Sequence, residues 1–320
     1  MLPVTVEQNR IRFGDRFSVF FLRTLRVPDD GRTYPLPPGL DEFSLHRVDD
    51  YPRILSSGWV ARGDVFIPMY QREAMWLGFE AASWKPNAVM VGTGAMNAVT
   101  GSDWDKTLRS DPQNYLVCPP QPWLDGFNTG SGIVRQFVAT PLGSDLTVES
   151  QLTGAETGGL RLLVFEPRRG HFPESRPKSR ATFQPESVTS GMMGLAAGGE
   201  IRQKIYSDPH GLDVWDSQNF GSVRVHIVNS EQCSLLTGLM APPTPIDAGT
   251  YTQYGFPWFQ LYDEKLPDVP AAERLAGVKT LLDKEMEHEG SGKEREETVD
   301  VPEPQVRPLR PPKTTENSQE

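Results

Sequence analysis

The chain is short of cysteine, of long apolar runs and of any recognisable chemical motif. Two cysteines, Cys118 and Cys233, are too few for a disulfide framework or a cysteine-based zinc site. Their spacing leaves open whether they pair. No stretch approaches the ~20 apolar residues that a membrane-crossing helix requires. The longest weakly polar run, Ala88 to Val99, stops well short of that, and the most apolar patch near the N-terminus, Phe17 to Leu22, lacks the flanks of a secretory signal. These absences predict a soluble, cytoplasmic protein with reduced thiols and no membrane contact. G-x-G-x-x-G and G-x-S-x-G are also missing, so neither a nucleotide fold nor a hydrolase elbow is indicated. No cofactor and no metal are expected.

Positive charge is scarce as well. The formal net charge is −10, and residues 283–320 carry eleven carboxylates against six Lys and Arg, which accounts for half of the excess. An acidic body argues against general nucleic-acid binding, because a basic footprint supplies most of that affinity. The local basic run Arg161, Arg168, Arg169, Arg176, Lys178 and Arg180 reads more simply as a solvated loop.

What the chain has in quantity is turn chemistry. Glycine and proline number 29 each, which favours short elements joined by many turns. Arg10 to Val27 reads as a hairpin or bulged strand split at Gly14-Asp15. Val65 to Tyr70, Ala74 to Ala81 and Ala88 to Val99 are apolar runs with short links, which predicts an antiparallel meander. Ala74 to Ala81 is also compatible with a short helix. Residues 103–128 read as a long loop over the body. Strand patterns resume at Ile133 to Thr140, Leu146 to Leu152 and Leu160 to Phe165. Met192 to Tyr206 has helical character at its ends and a flexible middle at Gly198-Gly199. Gly221 to Val228 alternates as a half-buried strand that puts His226 on the surface face. Ala271 to Glu287 is the clearest helix, with Leu275, Val278, Leu281 and Leu282 as its stripe. Beyond Gly290 the composition predicts a disordered tail. Within it, Arg307 to Pro312 has the form of a polyproline ligand, although a solvating linker is the simpler reading.

The fold expectation is therefore mainly β, an antiparallel β-sandwich or jelly-roll-like body with minor helices. One unit spans 1–288, with a possible break near 167–190, and a disordered acidic, proline-rich tail covers 289–320.

Several segments together resemble a family of uncharacterised microbial proteins of about this length. They are Arg26 to Gly31 with Tyr34 to Gly39, Phe66 to Glu73, Gln121 to Gly126, Val134 to Phe137, Pro141 to Gly143, Tyr206 to Asp213, and Thr250 to Asp263. The resemblance implies that the body is one inherited unit. It supplies no activity, cofactor or site residue.

Two constellations stand out. His210, Asp213 and Asp216, close behind Asp208, could hold a divalent cation or act as acid and base. Asp-Pro and His-Gly are equally ordinary turn chemistry, and the spacing matches no standard zinc site. Trp104, Trp123, Asp125 and Asn128 combine aromatic faces with polar groups, as a carbohydrate or polar-ligand site would. The plainer reading is that both tryptophans pin a loop to the core. The aromatic run Tyr251 to Tyr262 reads as core or as a clasp between subunits, and as a partner surface where exposed. Two functions follow as expectations. The first is a non-enzymatic binding or structural-assembly protein, with self-association or a protein partner. The alternative is a hydrolase-type enzyme using His210 and its carboxylates.

Overall fold

The computed structural model describes residues 1–51, 60–175, 193–240, 242–261, 266–289 and 296–309. Its strands begin with β1 (Val4–Glu7), β2 (Arg10–Phe13), β3 (Phe17–Thr24), β4 (Thr33–Tyr34), β5 (Gly39–Glu42) and β6 (His46–Arg47). Next come β7 (Val65–Met69), β8 (Ala74–Ala81), β9 (Asn87–Thr93), β10 (Met96–Asn97), β11 (Leu116–Cys118), β12 (Trp123–Leu124) and β13 (Gly126–Gly130). The remaining strands are β14 (Ile133–Thr140), β15 (Leu160–Pro167), β16 (Gly194–Arg202), β17 (Trp215–Asn229), β18 (Trp258–Leu261) and β19 (Val306–Leu309). The helices are short: α1 (Val148–Thr153), α2 (Ser230–Thr237), α3 (Ala248–Gln253), α4 (Glu273–Ala276) and α5 (Leu281–Glu289).

The strands form two large sheets. The first runs β1-β2-β3-β8-β14-β16-β4, with β5, β12 and β13 attached to it. The second runs β10-β9-β15-β17-β7-β6, with β11 on β9. Phe13, Phe17, Val19, Phe21, Leu77 and Phe137 of the first sheet share one apolar core with Val89, Val91, Leu162, Val164, Val225 and Ile227 of the second. The body is thus mainly β and sandwich-like, as expected from the sequence. Its sheets are mixed rather than purely antiparallel: β16 with β4, β17 with β7 and β18 with β19 are parallel pairs.

Several local expectations change. The runs at 65–70, 74–81 and 88–99 are not a meander, because β7 and β9 lie in the second sheet while β8 lies between β3 and β14 in the first. A short link can cross from one sheet to the sheet packed against it as readily as it can make a hairpin. Residues 74–81 are strand, not helix. Leu146 to Leu152 contains helix α1, since the Thr147 side chain accepts from the Ser150 N–H at 3.0 Å and Gly154 closes the helix with φ 70°. Met192 to Tyr206 contains strand β16, not helix. Its Gly198 and Gly199 mark close approach, since an added Cβ would lie 2.5 Å from Val138 Cγ2 or 2.3 Å from the Pro28 carbonyl oxygen. Ala271 to Glu287 divides into α4 and α5. Thr280 caps the second by accepting from the Asp283 N–H at 3.2 Å, and all four stripe residues remain buried. The loop expected over 103–128 contributes β11, β12 and β13.

Residues 176–192, which include much of the considered break and of the basic run, lie outside the described residues, as do residues 310–320. Within the span read as a tail, residues 296–309 are described and lie against the body. Cys118 and Cys233 are both buried, and neither is in a disulfide. Among the described residues no helix is long and apolar enough to cross a membrane.

Candidate functional site

The groove that holds residues 296–309 is built from the edge of the first sheet. Trp258 begins β18, which is joined to the body by a bridge in which Leu36 and Phe259 exchange two N–H···O bonds of 2.8 Å. β19 then adds in parallel, Trp258 opposite Val306 and Leu261 opposite Leu309. The Trp258 indole is buried and donates to Thr252 Oγ1 at 3.0 Å. The Tyr34 ring lies against it, with centroids 6.2 Å apart. Val299, Val301 and Val306 pack on the same core, each contributing on the order of 1 kcal/mol for partial burial.

Polar contacts fix the register of the segment. Glu296 is ion-paired with Arg26, accepts from the Asp29 N–H at 3.2 Å and lies 3.7 Å from Arg72. Thr298 Oγ1 and the Tyr34 hydroxyl both donate to Asp30 Oδ2, at 2.9 and 2.7 Å. The Tyr34 oxygen accepts from the Val299 N–H at 3.3 Å. Burial and then the Asp30 bond push the Tyr34 hydroxyl up to about 12. Asp300 pairs with Arg32 at 2.9 Å, and the Gln305 amide donates to the Thr252 carbonyl at 3.3 Å.

Two cavities flank the seated segment. One, of about 530 Å³, is polar and is walled by Arg26, Arg72, Glu73, Asp247, Gln253 and Glu296. Glu73 lies at its floor, bonded at 2.6 Å to Arg23 Nε; burial pushes its carboxyl up against the pull of that guanidinium. The other, of about 720 Å³, is walled by Arg202, Lys204, Tyr206, Phe259, Val301 and Val306.

Most of the exposed large apolar side chains fall in one stretch of the chain, residues 235–256. Leu235, Met240, Ile246, Tyr254 and Phe256 are 76, 86, 52, 74 and 50% exposed; Leu235 lies in α2 and the other four between α2 and β18. Among the described residues only Met1 and Leu40 join them as exposed large hydrophobics. Ile246 also lines the smaller cavity, and Tyr254 and Phe256 touch each other with centroids 6.1 Å apart.

The residues of the two constellations singled out in the sequence lie elsewhere, and none lines either cavity. Trp104 covers Gly92 on the second sheet, where an added Cβ would lie 2.4 Å from its ring. Trp123 packs on Trp76 of the first, with centroids 5.7 Å apart. Asp125 is buried; it accepts from the Trp123 indole N–H at 3.2 Å, and burial pushes its carboxyl well above the usual range. Asn128 is buried too, donating to the Val99 and Pro270 carbonyls. His210 and Asp213 are exposed and Asp216 half-buried. The Asp216 carboxylate accepts from the Gln218 N–H at 3.0 Å, and His210 packs edge-on against Phe172 and Trp215. Asp208 is occupied by the Tyr115 hydroxyl at 2.6 Å, the Trp215 indole at 2.8 Å and the His210 N–H at 2.8 Å. Among the described residues no group of three His, Cys, Asp or Glu could hold a metal ion. His226, expected on a surface face, is buried and bonded to Asp64 at 2.7 Å.

Sequence reasoning read the aromatic run that supplies Trp258 as core or clasp, but missed the segment seated against it. The available signal was the alternation Thr298-Val299-Asp300-Val301, a short strand-like pattern hidden in acidic, proline-rich surroundings. Comparison of the chain with protein families, with curated proteins and with solved structures finds no match.

Proposed function

We propose that the protein is a binding and assembly protein whose recognition surface is the groove at β18, and that its partner there is a second copy of the chain. The observation that carries this reading is the seating of residues 296–309 against the body, with charged anchors at one end, Val299 and Val301 packed on the core, and Val306–Leu309 added as a strand to β18. A groove so matched to this chain's own segment accepts the same segment from another copy equally well, which is the basis of strand exchange between protomers. Residues 290–292 are Gly-Ser-Gly, a composition suited to a connection that can lead into either groove. In a symmetric pair the exposed Ile246, Tyr254 and Phe256 supply apolar surface beside the exchanged strand. Two buried cysteines outside any disulfide suit the reducing cytoplasm as its location. A hydrolase built on His210, Asp213 and Asp216 has less support, since Asp208 is engaged in holding Tyr115 and Trp215.

Mixing two differently tagged full-length populations at high concentration tests the exchange. Mixed-tag dimers are expected, with a doubled mass by light scattering. They should disappear in Val299→Asp/Val306→Asp and under excess synthetic peptide of residues 294–311. A chain that stays monomeric at every concentration, or a dimer indifferent to both the substitutions and the peptide, overturns the reading.

A further inference from the structure

The outer face of the second sheet is covered at its two ends by separate apolar clusters. One, around Met90, Leu163, Phe165 and Trp215, lies under residues 104–117. The other, around Phe66, Val228 and Cys233, lies under α2. Between them a polar row crosses the sheet. Arg161 of β15 stands directly opposite Arg224 of β17 in the antiparallel register, and opposite Gly92 of β9 on its other side.

Two guanidiniums at directly opposed positions on neighbouring strands repel each other. Such a pair is ordinarily relieved by a carboxylate, yet among the described residues neither arginine is ion-paired to one. Both are half-buried, and the Nε of each is buried without a hydrogen-bond partner. Arg224 has one bond, from its Nη2 to the Thr157 carbonyl at 3.1 Å. Burial, and then Arg224 itself, lower the affinity of Arg161 for its proton, with Glu149 opposing. The Glu149 carboxylate is already taken up by the Ala95 and Gly158 N–H groups at 2.7 and 2.8 Å. One strand away from Arg161, the Trp104 ring lies over Gly92, the one residue type whose lack of a side chain admits it. Across the sheet the order is therefore aromatic ring, guanidinium, guanidinium.

We propose that Arg161 and Arg224 form a binding site for a phosphate monoester, with the organic part of the ligand lying against Trp104. A dianionic phosphate accepts N–H bonds from both guanidiniums and cancels the repulsion between the two cations, and arginine forks match its oxygens in pairs. Trp104 distinguishes an ester from the free anion, since only the ester has a flat or apolar part to set against the ring.

The test uses the full-length protein with inorganic phosphate and with phenyl phosphate, each against sodium chloride of equal ionic strength. Tryptophan fluorescence and thermal shift are the readouts. Phosphate is expected to raise the melting temperature beyond the chloride control, and phenyl phosphate to bind more tightly than phosphate. Arg161→Gln and Arg224→Gln should each weaken binding by about tenfold or more, while melting no lower than the parent in ligand-free, low-salt buffer, because each removes the repulsion. Trp104→Phe should narrow the preference for phenyl phosphate while keeping phosphate binding. Equal effects of phosphate and chloride, or unchanged binding in both arginine variants, overturn the site. Equal affinity for phosphate and phenyl phosphate overturns the ester and the role of Trp104.

Discussion

A carboxyl group taken out of water holds its proton to higher pH, and Asp125 is such a group. Burial holds it well above the ordinary carboxylate range, with only the Trp123 indole N–H pulling the other way. Its second oxygen, Oδ1, is buried without a partner. In the unfolded chain the same group ionises near pH ~3.9. Between that value and its raised folded value the native state binds the extra proton, so stability falls as pH rises, by up to about 1.4 kcal/mol per pH unit. Asp125→Asn removes this dependence. In urea titrations the variant is expected to match the parent near pH 4 and to exceed it as pH rises above that. A variant that loses stability relative to the parent as pH rises would show that Asp125 is ionised in the fold. Trp123 and Asp125 attracted notice in the sequence as ligand groups because aromatic rings beside polar side chains look alike in a site and in a core. Only burial separates the two cases, and burial belongs to the assembled sheets.

At the scale of elements, close approach of backbones explains several glycines that the sequence presents as simple turn formers. Gly126 opens β13 against Gln136 of β14, and an added Cβ would lie 2.0 Å from the Arg135 carbonyl oxygen. Gly126→Ala must push the two strands apart, and a loss of about 2–4 kcal/mol is expected on urea denaturation. Gly277 gives the opposite case. It sits between α4 and α5 in helical conformation, φ −82°, and its nearest contact to an added Cβ is 4.0 Å away. Gly277→Ala is expected to be neutral or to stabilise by up to about 1 kcal/mol through the unfolded chain. Equal losses for the two substitutions would mean that contact with the neighbouring strand does not decide the cost. The strands at 10–24, 133–140, 160–165 and 221–228 were legible from alternation and turn residues. The sheet each joins was not, because strand periodicity reports which face is buried and not which neighbour buries it.

For the molecule as a whole, the chain that completes the body comes from far along the sequence. Glu296 reaches Arg26, Asp300 reaches Arg32, and β19 closes the edge at Trp258. Removing everything after residue 288 strips the cover from Tyr34 and Trp258. The truncated protein is expected to melt lower than the full chain, to bind more of a hydrophobic dye, and to shift its tryptophan emission to the red. Unchanged melting and emission would mean that the seated segment contributes nothing to the fold.

The sequence by itself determined the class of the molecule. Scarce cysteine, dense turn residues and period-two apolar patterns lead to a mainly β body with short helices, because these are local properties that each stretch of chain carries wherever it is placed. Tertiary structure alone decided which strands share a sheet, that Asp125 and His226 are buried, that Arg161 meets Arg224, and that valines near the C-terminus find a groove. Each of these joins residues distant in sequence, and their contact energies exist only once the two sheets have packed.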